Sequence, residues 1–462
     1  MPALLFLTFT NCKEYPGTDW LFMCDIIKIC TMALALSVLS GIGGLCYQTD
    51  DHWGHNVKLF ELFTSPWPLH SPANGPVISY YFGYYVVPAL FFKLTGHIQV
   101  GVMVIWTAAG FAIGMAWIYL VLNKKLLLVF LTLCVGDFPR VLRCFLSFFH
   151  IRLYEFGDFG VEHWSVLENI FWAPNQVIPA LIIGGMIMHS IRNKHEIERL
   201  YFPLSLTFWW AVFPTFFGCI FLAFITIKKS NNLLGKVFSF SYLKNVYLPG
   251  LYMLLMILFF SSHKSTPVSG YLWKFSDSGI DYAIEYISNI LLNTAIFIFT
   301  YLTLIKLNRP KLSSFTFLIA LLIIVISALY RLGKANDILT RGMMPVFIVA
   351  GIHLLFPLSV NRKYLNIERS KTGHLLALVI VLFSITSIFG ISRIGRALHY
   401  NQITATLFPD RIKFAPLPYD QYKNIHDVLV DRWSELEARQ YMGDIQSFYQ
   451  KKIAPENPEL PE

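Results

Sequence analysis

The 462-residue chain is 55% hydrophobic and only 14% charged, with an aromatic share of 16%. A soluble chain of this length needs more polar surface, so the composition excludes an ordinary globular domain and points to a chain solvated largely by lipid. The net charge of +9 comes from short basic clusters between apolar runs, an arrangement that orients membrane segments and argues against nucleic acid as a partner.

A crossing helix needs about 20 mostly apolar residues. The chain supplies such runs at roughly 26–46, 98–122, 175–191, 245–262, 284–305, 312–330, 344–360 and 373–391, with a shorter one over Leu126–Gly136. The first is read as a retained span, because no small-residue cleavage pattern precedes Tyr47-Gln48. Tyr80–Leu94 is aromatic-rich, holds Gly83 and Pro88, and is too short to cross, which places it in the headgroup region. Tyr201–Ile227 is broken at Phe213-Pro214 and lies between the basic clusters Arg192–Arg199 and Lys228-Lys229. A hairpin of two short helices turning near Pro214 keeps both clusters on one side.

The expected fold is therefore an all-α membrane protein with about eleven transmembrane helices, the N-terminus inside and the C-terminus outside. Residues 1–391 form a polytopic transmembrane domain, with a first external loop at about 47–97 that carries juxtamembrane helices and a second at about 137–174. Residues 392–462 form a small external C-terminal tail, partly helical. The segments assigned inside carry the denser cations, among them Lys124-Lys125, Lys228-Lys229 and Arg362-Lys363. Seven cysteines without a CxxC spacing indicate neither a disulfide framework nor a zinc site.

Chemistry is expected in the external loops. Asp50-Asp51-His52-Trp53-Gly54-His55 follows the first span directly, and clustered carboxylates and imidazoles are costly near a low-dielectric boundary. One aspartate suits a general base, with Asp51 ahead of Asp50 because it lies further from the span. An ordinary polar cap at a helix exit is the competing reading. His52 and His55 stand at i, i+3, a spacing that metal ligands use, so a divalent metal stays open as a cofactor. The second loop brings Glu162 and His163 to the same side among aromatics, a mix that suits either sugar and headgroup recognition or an interfacial belt. After the ninth span, Arg331, Lys334 and Arg341 run against the inside bias and suit a phosphate clamp, with pairing to Asp337 as the alternative.

An acidic residue just outside the first span, then Pro72, Pro76, Tyr80-Tyr81-Phe82 and Phe92-Lys93-Leu94-Thr95-Gly96, resembles the GT-C class of membrane glycosyltransferases. The branch in question contains the protein mannosyltransferases and aminoarabinose transferases. The Pro-Pro-Leu of that branch is missing, and two aspartates stand where one acid is usual. The resemblance covers about the first 125 residues; beyond them only the architecture agrees. It implies transfer of a sugar from a polyprenyl-phosphate-linked donor to a lipid, glycan or protein acceptor on the external face of a bacterial inner membrane. Asp50 or Asp51 would then activate the acceptor, and His55, Glu162, His163, Arg331, Lys334 and Arg341 would contact substrate. A transporter or flippase, or a polymerase or ligase, of lipid-linked glycans are the alternatives.

Overall fold

The apolar runs fold as helices. The computed structural model describes residues 21–71, 75–136, 138–151, 161–229, 235, 237–265, 268–275, 279–306, 311–333, 336–360 and 369–455. Helix α1 (Met23–Leu39) leads through a turn with positive φ at Gly41, Gly43 and Gly44 into α2 (Asp51–Thr64). A side chain is barred from Gly43, where a Cβ would meet Val100 Cγ1 at 2.6 Å. Next come α3 (Gly83–Thr95), α4 (Val100–Val121) and α5 (Leu126–Leu133). In the second loop lie α6 (Phe138–Phe148) and α7 (Val166–Trp172).

Helix α8 (Pro174–Arg192) runs through the centre of the bundle, opened by a proline whose missing N–H costs nothing in a first turn. It packs against α4, where Gly110 and Gly114 admit Ile178 and Leu181. Arg192 closes both helices by donating to the Val121 carbonyl at 2.8 Å, a cation on a C-terminus where the helix dipole favours it. The hairpin expected near Pro214 is present as α9 (Tyr201–Thr207) and α10 (Val212–Lys229), with its break at 208–211. Helix α11 (Phe240–Phe260), α12 (Gly279–Lys306), α13 (Ser314–Ser327) and the almost wholly buried α14 (Met344–Ser359) follow. The run at 373–391 is bent: α15 (Arg369–Thr386) meets α16 (Ile388–His399) at 75°.

Among the described residues, α4, α10, α11 and α12 are long and apolar enough to cross a membrane, making up to five candidate spans if the bent pair counts as one; α13 and α14 are apolar but shorter. The chain is thus helical, with four or five candidate membrane spans among the described residues, against the eleven expected. Tyr80–Leu94 is not a span: α3 has 13 residues and buries Tyr84, Tyr85 and Phe92 while exposing Val87, Leu90, Phe91 and Leu94. A small antiparallel pair, β1 (Ser269–Tyr271) and β2 (Tyr330–Leu332), joins the loops before α12 and after α13.

The tail folds back over the first loop. After α17 (Gln402–Leu407) it forms α18 (Ile425–Arg432), α19 (Glu435–Arg439) and α20 (Phe448–Lys452). Ile425, Val428 and Ala438 are buried in the same core as the bundle. Asn56 Nδ2 donates to the Leu417 carbonyl at 2.9 Å, and Ser79 N donates to the Tyr441 carbonyl at 2.9 Å.

Candidate active site

Asp51 is the first residue of α2, and the positions one and two turns on are Gly54, His55 and Lys58. This i, i+3, i+4, i+7 set shares one face of the helix, and that face lines a partly open cavity. Other walls are Tyr80 and Tyr81 before α3, Ala173, Asn175 and Gln176 at the start of α8, and Asp337 and Arg341 between β2 and α14. The tail supplies the roof: Leu429, Trp433, Glu437 and Tyr441.

Arg341 lies between two carboxylates. Its Nη2 donates to Asp51 Oδ2 at 2.7 Å, and its Nη1 stands 3.1 Å from Asp337 Oδ1. Burial raises the pKa of Asp51 above the ordinary carboxylate value, opposed by the nearby charges of Arg341 and Lys58. Burial likewise raises Asp337, with Arg341 opposing. Lys58 is buried and donates to Tyr80 Oη at 2.7 Å. Desolvation pulls its ammonium down to about 7, so the cavity holds a lysine poised to change charge near neutrality. Tyr80 and Tyr81 stack with ring centroids 4.1 Å apart and form an aromatic wall.

The sequence-derived candidates separate into three groups. Asp51, His55 and Arg341 come together in the cavity. His55, however, has both ring nitrogens engaged: Nε2–H donates to the Trp172 carbonyl at 2.9 Å, and Nδ1 lies 2.6 Å from Tyr85 Oη. Burial holds it neutral, well below its usual pKa, so it braces the wall and the tyrosine. Asp50 is exposed and does not line the cavity. The neighbouring aspartates diverge because Asp50 precedes the helix whose first turn carries Asp51.

Glu162, His163 and Arg331 lie elsewhere. Glu162 pairs with Arg143 at 2.9 Å, beside the 2.8 Å pair of Arg140 with Glu168, in a charged cluster that seats amphipathic α6. His163 is buried edge-on against Phe347. Arg331 is 1% exposed in β2, with its guanidinium over Phe275 and its Nε donating to the Gly333 carbonyl. It is a packed residue of the strand pair and does not reach the cavity. Lys334 lies outside the described residues, as does Tyr154–Gly160 of the second loop. His52 and His55 do approach, at 5.3 Å between centroids, yet no group of three or more His, Cys, Asp or Glu side chains among the described residues is placed to hold a metal.

Sequence reasoning missed Lys58, Asn175, Gln176 and the roof. Lys58 was within reach through its helical spacing from Asp51, and the amides through their place opening an apolar span. Nothing in the spacing of Glu437 and Tyr441 announces a site more than 370 residues from Asp51. Comparison with protein-family models, curated proteins and solved structures finds no match to this chain.

Proposed function

We propose that the chain is a GT-C-type membrane glycosyltransferase that moves a sugar from a polyprenyl-phosphate-linked donor to an envelope acceptor on the external side of the membrane. The observation that carries this reading is the Asp51–Arg341 pair at 2.7 Å in a cavity that follows α1 and its glycine turn. A carboxylate of raised pKa is a stronger base than an exposed one, and a guanidinium beside it suits a phosphate leaving group.

In the proposed single displacement, the acceptor hydroxyl oxygen attacks the anomeric carbon while its proton passes to Asp51. The bond from that carbon to the phosphate oxygen breaks, and its electron pair leaves on the phosphate. Protonation removes the charge that Asp51 presents to Arg341 just as negative charge grows on the departing phosphate, so the guanidinium changes partner as the reaction proceeds. Asp337 keeps Arg341 oriented throughout, and Lys58 adds a second cation whose charge follows that of the site.

An open apolar groove on the surface of the bundle gives further support for a lipid carrier. Its walls include Phe216 and Phe224 of α10, Ile257 of α11 and Ile326 of α13. Ile338 also lines it, on the same short π-helical turn, Ile338–Gly342, that carries Arg341 into the polar cavity. One turn thus touches both an apolar and a charged compartment, as binding of a phosphate headed by a long chain requires. About eleven crossings, with the polar cavity external, complete the proposal.

Transfer from a radiolabelled polyprenyl-phosphate sugar pool in membranes, at matched expression, tests the reading. Asp51→Asn is expected to lose transfer by at least two orders of magnitude, roughly the range for removal of a general base, and Asp50→Asn to stay near wild type. Unchanged transfer in Asp51→Asn removes this carboxylate from the mechanism.

A further inference from the structure

The first turn of α8 holds two side chains that the proposed displacement does not use. Asn175 and Gln176 are each 1% exposed and line the cavity. Gln176 Nε2 donates to Tyr81 Oη at 3.1 Å, while its Oε1 has no hydrogen-bond partner among the described residues. Neither Nδ2 nor Oδ1 of Asn175 has one. Buried amide groups are nearly always paired, because leaving them desolvated and unpaired is costly. Three unpaired functions on adjacent residues, all in one cavity, therefore point to a ligand that supplies the partners.

The chemistry of those functions selects the ligand. A primary amide offers a donor and an acceptor side by side. Two adjacent hydroxyls match it: one accepts from Nδ2–H and the other donates to Oδ1. Gln176 Oε1 adds an acceptor for a further hydroxyl. All three functions are uncharged. The charged groups of the cavity form a separate set: Arg341 bridges Asp51 and Asp337, Lys58 donates to Tyr80 and Glu437 accepts from Gln440, with Arg341 Nε and Asp337 Oδ1 lacking a hydrogen-bond partner among the described residues. The stacked Tyr80–Tyr81 pair and Trp433 add aromatic surface to the same cavity, and a few placed polar groups among aromatic walls are the usual make-up of a small-molecule site.

We propose that Asn175 and Gln176 form a subsite that reads adjacent hydroxyls of an uncharged sugar ring. This rests on the glycosyltransferase reading for its place in a reaction, but it makes a separate claim about recognition. It assigns these amides a specificity role: being uncharged, they favour hydroxyls and add no carboxylate for an amino sugar.

The test uses the full-length protein in nanodiscs and measures binding of methyl hexosides by saturation-transfer NMR and calorimetry. Probes are the methyl glycosides of glucose, mannose and galactose, their monodeoxy analogues and the corresponding 2-amino-2-deoxy glycosides. At least one neutral hexoside is expected to bind wild type, with removal of one critical hydroxyl weakening it about tenfold or more. Because this scan is made on the wild-type protein, it does not depend on a variant folding. Asn175→Leu is expected to weaken the parent glycoside equally and to lose discrimination against that deoxy analogue, whereas Asp50→Asn, outside the cavity, keeps both. The subsite is overturned if no glycoside binds wild type, if the amino sugar binds best, or if Asn175→Leu retains affinity and discrimination. Hexoside binding that depends on Asn175, with no transfer from the polyprenyl-phosphate donor, would sink the transferase reading alone. Transfer that survives both Asn175→Leu and Gln176→Met would sink the subsite alone.

Discussion

Arg341 shows how a single side chain organises the cavity. Two carboxylates share its guanidinium, and each is raised in pKa by burial even with that cation beside it. Removing the cation would leave Asp51 and Asp337 desolvated and mutually repulsive. Breaking a fully buried ion pair costs about 3–5 kcal/mol; here the side chains of Arg341 and Asp51 are 17% exposed, so Arg341→Gln is expected to cost about 2 kcal/mol after solvent screening. Thermal unfolding in detergent measures this. Adding Asp337→Asn to Arg341→Gln should recover most of the stability by removing one stranded charge, while transfer stays lost because no guanidinium faces the phosphate. Recovery of transfer in the double variant would take Arg341 out of leaving-group binding. His55 carries the opposite lesson. Beside an aspartate at a helix start it looks like a chemical residue, yet both its nitrogens are committed to Trp172 and Tyr85.

At the scale of elements, the roof depends on how α18 is tied to α2. Asn424 caps α18 by accepting from Asp427 N at 2.9 Å, and Glu61 Oε2 accepts from Ile425 N at 2.7 Å. Burial raises the Glu61 carboxyl to about 7, so the folded protein holds its proton over a range where the unfolded chain has released it. The stabilising contribution is therefore complete below about pH 4.5 and is lost as pH rises through about 7. Glu61→Gln cannot ionise and still offers an acceptor to Ile425 N, so its thermal stability should fall less than that of wild type across this window. Parallel pH profiles for the two proteins would show that Glu61 does not titrate there. The α4–α8 contact rests on close approach. A Cβ on Gly114 would collide with the Leu181 side chain, and Gly114→Ala is expected to destabilise the bundle by about 1–3 kcal/mol, read as a lower unfolding temperature in detergent. Wild-type stability for this variant would mean that α4 and α8 can separate without loss.

Across the whole molecule, the proposed orientation makes a labelling prediction. Cys144 is exposed on α6, in the second loop assigned outside, whereas exposed Cys24 lies in the first turn of α1, at the end assigned inside. In intact cells, a membrane-impermeant maleimide should label a variant with Cys144 as its only cysteine, and label a Cys24-only variant only after permeabilisation. The reverse pattern would invert the topology and put the cavity inside. Sequence by itself determined the helical class and the approximate place of the long apolar helices, because apolar run length and breaks at proline and glycine are local properties. It also determined that α3 stays short of a crossing and that Asp51, at the exit of the first span, is a candidate acid. Only the tertiary structure decided which candidates meet. Asp51 and Arg341 are 290 positions apart, and the tail that roofs them lies further still; no periodicity encodes such a distance. The fold also separated Glu162, His163 and Arg331 from the cavity, since charge and side of the membrane limit where a residue can be but not which neighbours it packs against. Hydropathy places an element relative to lipid, whereas the convergence of loops depends on the packing of every helix between them.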